Sequence, residues 1–207
     1  LDADLEKLKA TETDLVYTPD TATMYGDQTN THIDINGPAL GLESIARPHF
    51  FKGVASIVHK LFEQTAADCA VFGEKDYQQL CVIRHMVKTL DLKVEIFGAP
   101  TQRETDGLAM SSRNAYLNKD QRRVAGQLNL YLKKFCEAIV NKDKYEYIKI
   151  KTCESIIAAG FDAVDYLEVR ESETLNNISS SSTPRRALVV ARLGDIRLLD
   201  NMPIPNL

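Results

Sequence analysis

Scarcities in the sequence narrow its class first. The four cysteines, Cys69, Cys81, Cys136 and Cys153, show no CxxC spacing, and no histidine lies near enough in sequence to make a zinc pair with them. A disulfide framework and a structural metal are therefore not expected, and the thiols read as reduced core residues. No apolar stretch approaches the ~20 residues of a membrane span, and no charged-then-apolar leader opens the chain. A cytoplasmic location is the default expectation. With 25 Lys+Arg against 29 Asp+Glu, the formal charge of -4 is mild and dispersed, with no basic run to neutralise a nucleic-acid backbone. Nucleic acid and membrane surfaces are thus not expected as partners. Internal repeats are absent as well.

What is present suits a soluble globular protein. Its 207 residues, 44% of them hydrophobic, can fill one large domain or a medium one plus a small one. Leu1 to Leu8 have helical spacing with neither an initiator Met nor an N-cap before them, so they read as the latter part of a helix entered from upstream. Leu15-Val16-Tyr17 and Thr31-His32-Ile33-Asp34-Ile35 read as short strands. Apolar positions from Val54 to Phe62 fall on one helical face, and Cys69-Ala70-Val71-Phe72 follows as a buried strand ending at Gly73. Leu80, Ile83, Met86, Val87 and Leu90 mark the next helix, and Val94 to Phe97 the next strand. This alternation predicts a parallel sheet with helices on its faces.

Composition then shifts. Thr101 to Asn118 is polar and irregular, and a domain boundary is expected within it, between residues 107 and 108. Asn118 with Gln121 predicts a capped start to one long helix reaching Ile139, and a second helix is predicted from Tyr145 to Ala159, stopped by Gly160. Ala163–Arg170, Ala187–Leu193 and Ile196–Leu199 read as strands, with Ser179 to Ser182 as a loop. The expected architecture is α/β: part of a Rossmann-like parallel-sheet domain over 1–107, then a small α+β domain over 108–207.

Two clusters carry chemistry. Phe72-Gly73-Glu74-Lys75-Asp76-Tyr77-Gln78-Gln79 leaves a buried strand and opens a helix, which puts its polar groups at the carboxyl edge of the sheet, where open α/β folds bind ligands. Gly73 lets a ligand approach the backbone, the first helical amides and Lys75 favour an anion, and Asp76 can accept from vicinal hydroxyls. Gln79 lies one turn on, along the same face. The plainer alternative is a charged helix terminus in which Asp76 only caps and Lys75 is solvated. The second cluster is Met110-Ser111-Ser112-Arg113-Asn114, whose hydroxyls and guanidinium suit phosphate oxygens, although Ser-rich connectors are often just loops.

Occurring together, in this order, and joined by Pro100 to Ala109, these clusters resemble pantothenate synthetases, the pantoate-beta-alanine ligases of the nucleotidyltransferase superfamily. The resemblance runs from Phe72 to Leu117 and, more loosely, over the whole chain, including Leu193 to Asn201. It implies an ATP site made by Gly73, Glu74, Lys75, Asp76, Gln102, Met110, Ser111, Ser112 and Arg113. By the same resemblance Gln79 and Arg47 hold the acid substrate, and Lys75, Ser111, Ser112 and Arg113 are catalytic. Two departures stand out. The family's His-x-Gly-His pattern is not formed by His32, His49, His59 or His85, which places it upstream of Leu1. In Arg47-Pro48-His49-Phe50-Phe51-Lys52-Gly53, Phe50 stands where the commoner motif has His, so His49 is read as structural.

The implied reaction joins pantoate to beta-alanine through a pantoyl adenylate, with ATP as substrate and Mg²⁺ carried mainly by the nucleotide. A carboxylate is already ionised at neutral pH, so adenylation requires alignment and charge stabilisation rather than a base or a protein nucleophile. That accounts for a sequence without a triad or a metal cluster. A homodimer is implied by the resemblance alone. The rival expectations are a non-catalytic nucleotide-binding fragment and a related adenylate-forming transferase acting on another acid.

Overall fold

The computed structural model describes residues 1–26, 33, 36–140, 144–180 and 182–205. These fall into two compact units, Leu1–His32 and Ile33–Leu207. In the first, α1 (Asp2–Ala10) carries Asp2 and Asp4 in its first turn and Lys7 and Lys9 in its last, the polarity that the helix dipole favours. The short helix α2 (Thr21–Tyr25) is capped by Asp20, whose carboxylate accepts from the Thr23 amide at 2.7 Å. The strand expected at Leu15-Val16-Tyr17 is not formed: the segment is irregular and Leu15 is exposed. No described strand pairs with it, and an unpaired three-residue strand has no ladder to stabilise it. The strand expected at Thr31 to Ile35 lies, apart from Ile33, outside the described residues.

The second unit opens on a 3-10 turn at Gly37–Ala39 and a one-turn helix α3 (Glu43–Ala46), neither of which had a periodic signature to announce it. Helix α4 (Phe50–Thr65) buries Phe51, Ala55, Val58 and His59, and ends at Ala66 in the left-handed conformation. Next comes the expected βαβ unit: β1 (Cys69–Gly73), α5 (Tyr77–Thr89) and β2 (Glu95–Ala99), with β1 and β2 parallel in the register Cys69↔Glu95 to Gly73↔Ala99. Strand β1 is not the buried strand expected, since Cys69 and Val71 are exposed on one of its faces. Ile33, Ala55, Val58, Ile83 and Met86 form the core between α4, α5 and the sheet.

Beyond the connector, Asn118 and Gln121 make the expected capping box. The single long helix is instead two, α6 (Lys119–Ala125) and α7 (Gln127–Val140), broken at Gly126. A Cβ at that position would collide with the Asp106 carboxylate, which is held there by Arg122. Helix α8 (Tyr145–Ala158) packs with α7 on an antiparallel sheet of β3 (Ala163–Glu171), β4 (Arg185–Leu193) and β5 (Ile196–Ile204) in the order β3-β4-β5. Leu128, Leu132, Phe135, Ile156, Leu167 and Val189 fill the space between. The register of β3 slips between Val164 and Tyr166, leaving Asp165 as the extra residue of a bulge. The expected boundary at 107/108 falls inside this unit. Among the described residues no helix is long and apolar enough to cross a membrane.

Candidate active site

A cavity of about 530 Å³, counting space open to solvent, lies at the carboxyl edge of β1. Gly73 ends the strand, Glu74–Asp76 form a 3-10 turn, and α5 begins at Tyr77, so Lys75, Asp76 and Gln79 are delivered to one wall. Asp76 occupies the N-cap position of α5, yet its carboxylate caps nothing. It is 53% exposed, and its one ionic neighbour among the described residues is the Lys75 ammonium at 3.8 Å, a distance at the edge of pairing. The capping alternative is therefore not what the structure adopts: the carboxylate retains its capacity to accept hydrogen bonds. The Gln79 side chain makes no hydrogen bond among the described residues. Its neighbour Gln78 is committed to the fold, donating to the Pro38 and Gly41 carbonyls at 3.0 and 3.3 Å and accepting from the Glu43 amide at 3.1 Å.

The turn bearing Lys75 is held from behind by the far sheet. The Asn201 side-chain amide donates to the carbonyls of Glu74 and Lys75, both at 2.9 Å. The Arg186 guanidinium stacks on the Tyr77 ring at 3.7 Å and reaches the Glu74 carboxylate at 3.3 Å. Gly98 on β2 makes room for this, since a Cβ there would press on the Glu74 side chain. Burial raises the Tyr77 phenol, and the Arg186 charge only partly offsets it, so the ring is neutral at physiological pH.

The opposite wall comes from α3, α4 and the antiparallel sheet. Both oxygens of the buried Glu43 carboxylate accept from Arg197, at 2.5 and 2.9 Å. The Arg47 guanidinium lies over the Phe50 ring at 3.8 Å and touches Glu43 with one nitrogen at 3.4 Å. Hydrogen bonding to Glu43 is the main reason that the Arg197 guanidinium holds its proton even more firmly than usual. Tyr166, a further lining residue, has its phenol raised by burial and then by the Glu43 charge. Arg113 completes the rim.

Five of the residues singled out in the sequence, Arg47, Lys75, Asp76, Gln79 and Arg113, thus line one cavity. Gly73 stands just behind it with open space where a side chain would be, and Glu74 faces Arg186. The lining does not include Gln102, Met110, Ser111 or Ser112. Ser111 instead caps the 3-10 turn Ser112–Tyr116 by accepting from the Arg113 amide, and Gln102 pairs through its carbonyl with the Met110 amide at 2.9 Å. Glu43, Gln78, Tyr166, Asp200 and Asn201 line the cavity without having been assigned a role, and Phe50, noted in the sequence only as a departure from the motif, lines it too. Gln78 lay inside the quoted Phe72–Gln79 segment and Asp200 and Asn201 inside Leu193–Asn201, whereas Glu43 and Tyr166 had no local signal. Among the described residues no group of three His, Cys, Asp or Glu side chains is disposed to hold a metal ion.

A cavity at the carboxyl edge of a parallel βαβ unit, walled by an ammonium, guanidiniums and a carboxylate that caps nothing, defines an α/β protein with a site suited to an anionic, hydroxyl-bearing ligand. Comparison with known proteins makes this specific: residues 1–203 match the family model described as pantoate-beta-alanine ligase, and the chain belongs to that family. It is 49% identical to the pantothenate synthetase of Maricaulis maris over 96% of its own length and 69% of the relative's. Against the Mesorhizobium japonicum pantothenate synthetase it is 48% identical, over 98% of its own length and 71% of the relative's. Among solved structures, pantothenate synthetase from Thermus thermophilus superposes with a TM-score of 0.90 at 36% identity, covering 98% of this chain and 74% of that one. The Francisella tularensis pantoate-beta-alanine ligase, solved with beta-gamma ATP and beta-alanine, gives 0.77 at 26% identity over 98% of this chain and 69% of that one.

Proposed function

We propose that this cavity adenylates pantoate with ATP and then passes the pantoyl group to beta-alanine, giving pantothenate. In the first step a pantoate carboxylate oxygen bonds to the α-phosphorus as the bond to pyrophosphate breaks. In the second, the beta-alanine amine bonds to the acyl carbon, AMP leaves, and the amine gives up a proton. The observation that carries this reading is the meeting of Lys75, Asp76, Gln79, Arg47 and Arg113 in a single cavity. Lys75 is assigned to the phosphates, Asp76 to the ribose hydroxyls, and Gln79 with Arg47 to pantoate. Gly73 leaves space for the nucleotide, while Glu74 holds the turn.

Ser111, Ser112 and Arg113 are assigned to the departing pyrophosphate, with Met110 and the backbone of Gln102 beside the adenosine. The two serines reach the phosphates when the Met110–Arg113 loop itself closes, while the ties of Asp200 to Arg103 and of Asn201 to the Lys75 turn stay in place. The cations that face the cavity, and the lack of a carboxylate cluster among the described residues, fit a Mg²⁺ ion held by the nucleotide's phosphates and water rather than by a protein cage. When bound, Mg²⁺ neutralises phosphate charge. Resemblance to the family further supports a homodimer in the cytoplasm, which light scattering and fractionation test.

The functional test supplies ATP with pantoate or other small acids, with and without beta-alanine. Pantoate alone should support exchange of pyrophosphate into ATP, and pantoate with beta-alanine should release AMP. Lys75→Ala should lower adenylation by at least ~2 kcal/mol of transition-state stabilisation, or about 30-fold. An unchanged exchange rate removes Lys75 from the mechanism. Nucleotide binding without AMP release would make the chain a binding module, and preference for another acid would make it a sister transferase.

A further inference from the structure

We propose that Phe50 is a positioning residue whose ring fixes the Arg47 guanidinium to receive the carboxylate of the acid substrate. The inference rests on the assignment of Arg47 to that substrate. Charge balance around Glu43 carries it. Glu43 is neutralised at both oxygens by Arg197. The Arg197 Nε donates to one oxygen of Asp165 at 2.7 Å, and the Arg192 Nε donates to the other at 2.6 Å. Two carboxylates and two guanidiniums close this chain, so Arg47 is a supernumerary cation whose one ionic contact among the described residues is the single 3.4 Å approach to Glu43.

Left to itself, a long, partly exposed arginine samples many rotamers and loses that freedom on binding. Here the Phe50 ring lies under its Cζ at 3.8 Å, and Phe50 is set in turn by an edge contact with the buried Phe51, with ring centroids 5.0 Å apart. The ring covers one face of the guanidinium. Its edge N–H groups, apart from the one directed at Glu43, make no hydrogen bond among the described residues, and that edge is the fork that grips a carboxylate in parallel. Arg47 and Phe50 both line the cavity.

The test uses the chain with Phe50→Leu, Phe50→Tyr and Phe50→Trp, titrated with pantoate. Phe50→Leu should weaken pantoate binding about 3- to 10-fold, the value of a partly exposed cation–π contact. Nucleotide affinity and melting temperature should be preserved, and Phe50→Tyr and Phe50→Trp should restore pantoate binding. In side-chain NMR the Arg47 Nε–H should carry a ring-current shift that Leu abolishes and Tyr or Trp retains, which a merely space-filling ring would not predict alongside a selective loss of pantoate. If the wild-type chain binds no pantoate, the proposed function fails, and this inference fails with it. If it binds pantoate and Phe50→Leu binds it equally well, or Phe50→Tyr fails to rescue, the positioning role alone is overturned.

Discussion

Asp200 and Asp76 are both aspartates at the same cavity, and they are held in opposite ways. Asp200, 3% exposed, is gripped by Arg103 through both oxygens at 2.8 and 2.9 Å, accepts from Asn129 at 3.1 Å, and takes the Asn201 amide at 2.7 Å. Asp76 has one cation at 3.8 Å and an open face. The first carboxylate has its hydrogen-bonding capacity filled by the fold, and the second leaves it for a ligand. Bringing charge to a cavity does not by itself make a binding group. Whether the protein has already satisfied that charge separates the ties that build the wall from the groups that meet the substrate.

The largest effect expected from this contrast is structural. Asp200→Ala should cost ~3–5 kcal/mol of stability, because Arg103 is left partly buried without its partner. Urea denaturation measures this, and a loss under ~1 kcal/mol would place Asp200 among the uncommitted groups instead. Lys75→Ala should do the reverse: the lysine side chain is largely covered, but its one ionic neighbour among the described residues is Asp76, at 3.8 Å, so the stability loss should stay under ~1 kcal/mol while adenylation falls as stated above. An unstable Lys75→Ala with normal turnover would dissolve the distinction.

A smaller effect concerns Asp165. Its burial raises the carboxyl, but hydrogen bonds from Arg192 and Arg197 prevail and hold it below the ordinary 3.8. A depressed carboxyl contributes stability that is present above pH 3.8 and is lost as pH falls through the lower folded value. The gap in denaturation midpoint between wild type and Asp165→Asn should therefore be full near neutrality and shrink as the pH drops below that range. A gap that stays constant down to pH 2 would mean that the carboxyl's charge is not what Arg192 and Arg197 read.

How far the sequence foretold this depends on how local each signal was. The βαβ unit was legible because strand, Gly73, turn and amphipathic helix follow one another in the chain, and the Asn118–Gln121 capping box because its partners are three residues apart. The break at Gly126 was not, since it depends on where Asp106 is carried by the fold. Strand β5 runs past Leu199 to Ile204 through Pro203, which is tolerated because β5 is at the edge of its sheet. In the site, Lys75, Asp76 and Gln79 could be read from one short segment. Glu43 and Arg197, 154 residues apart, could not, because nothing in either neighbourhood indicates that the β4–β5 hairpin returns Arg197 to α3.

The turn after β1 and the loop at Arg113 line one shared cavity, assigned above to the nucleotide. Titrating ATP into isotope-labelled chain while following backbone and side-chain resonances tests that assignment most directly. The account predicts that Lys75, Asp76, Gln79 and Arg113 shift together and saturate at one dissociation constant, with Asp200 and Arg103 little moved. Saturable shifts confined to another surface, or perturbation of Lys75 and Arg113 with unrelated affinities, would contradict it.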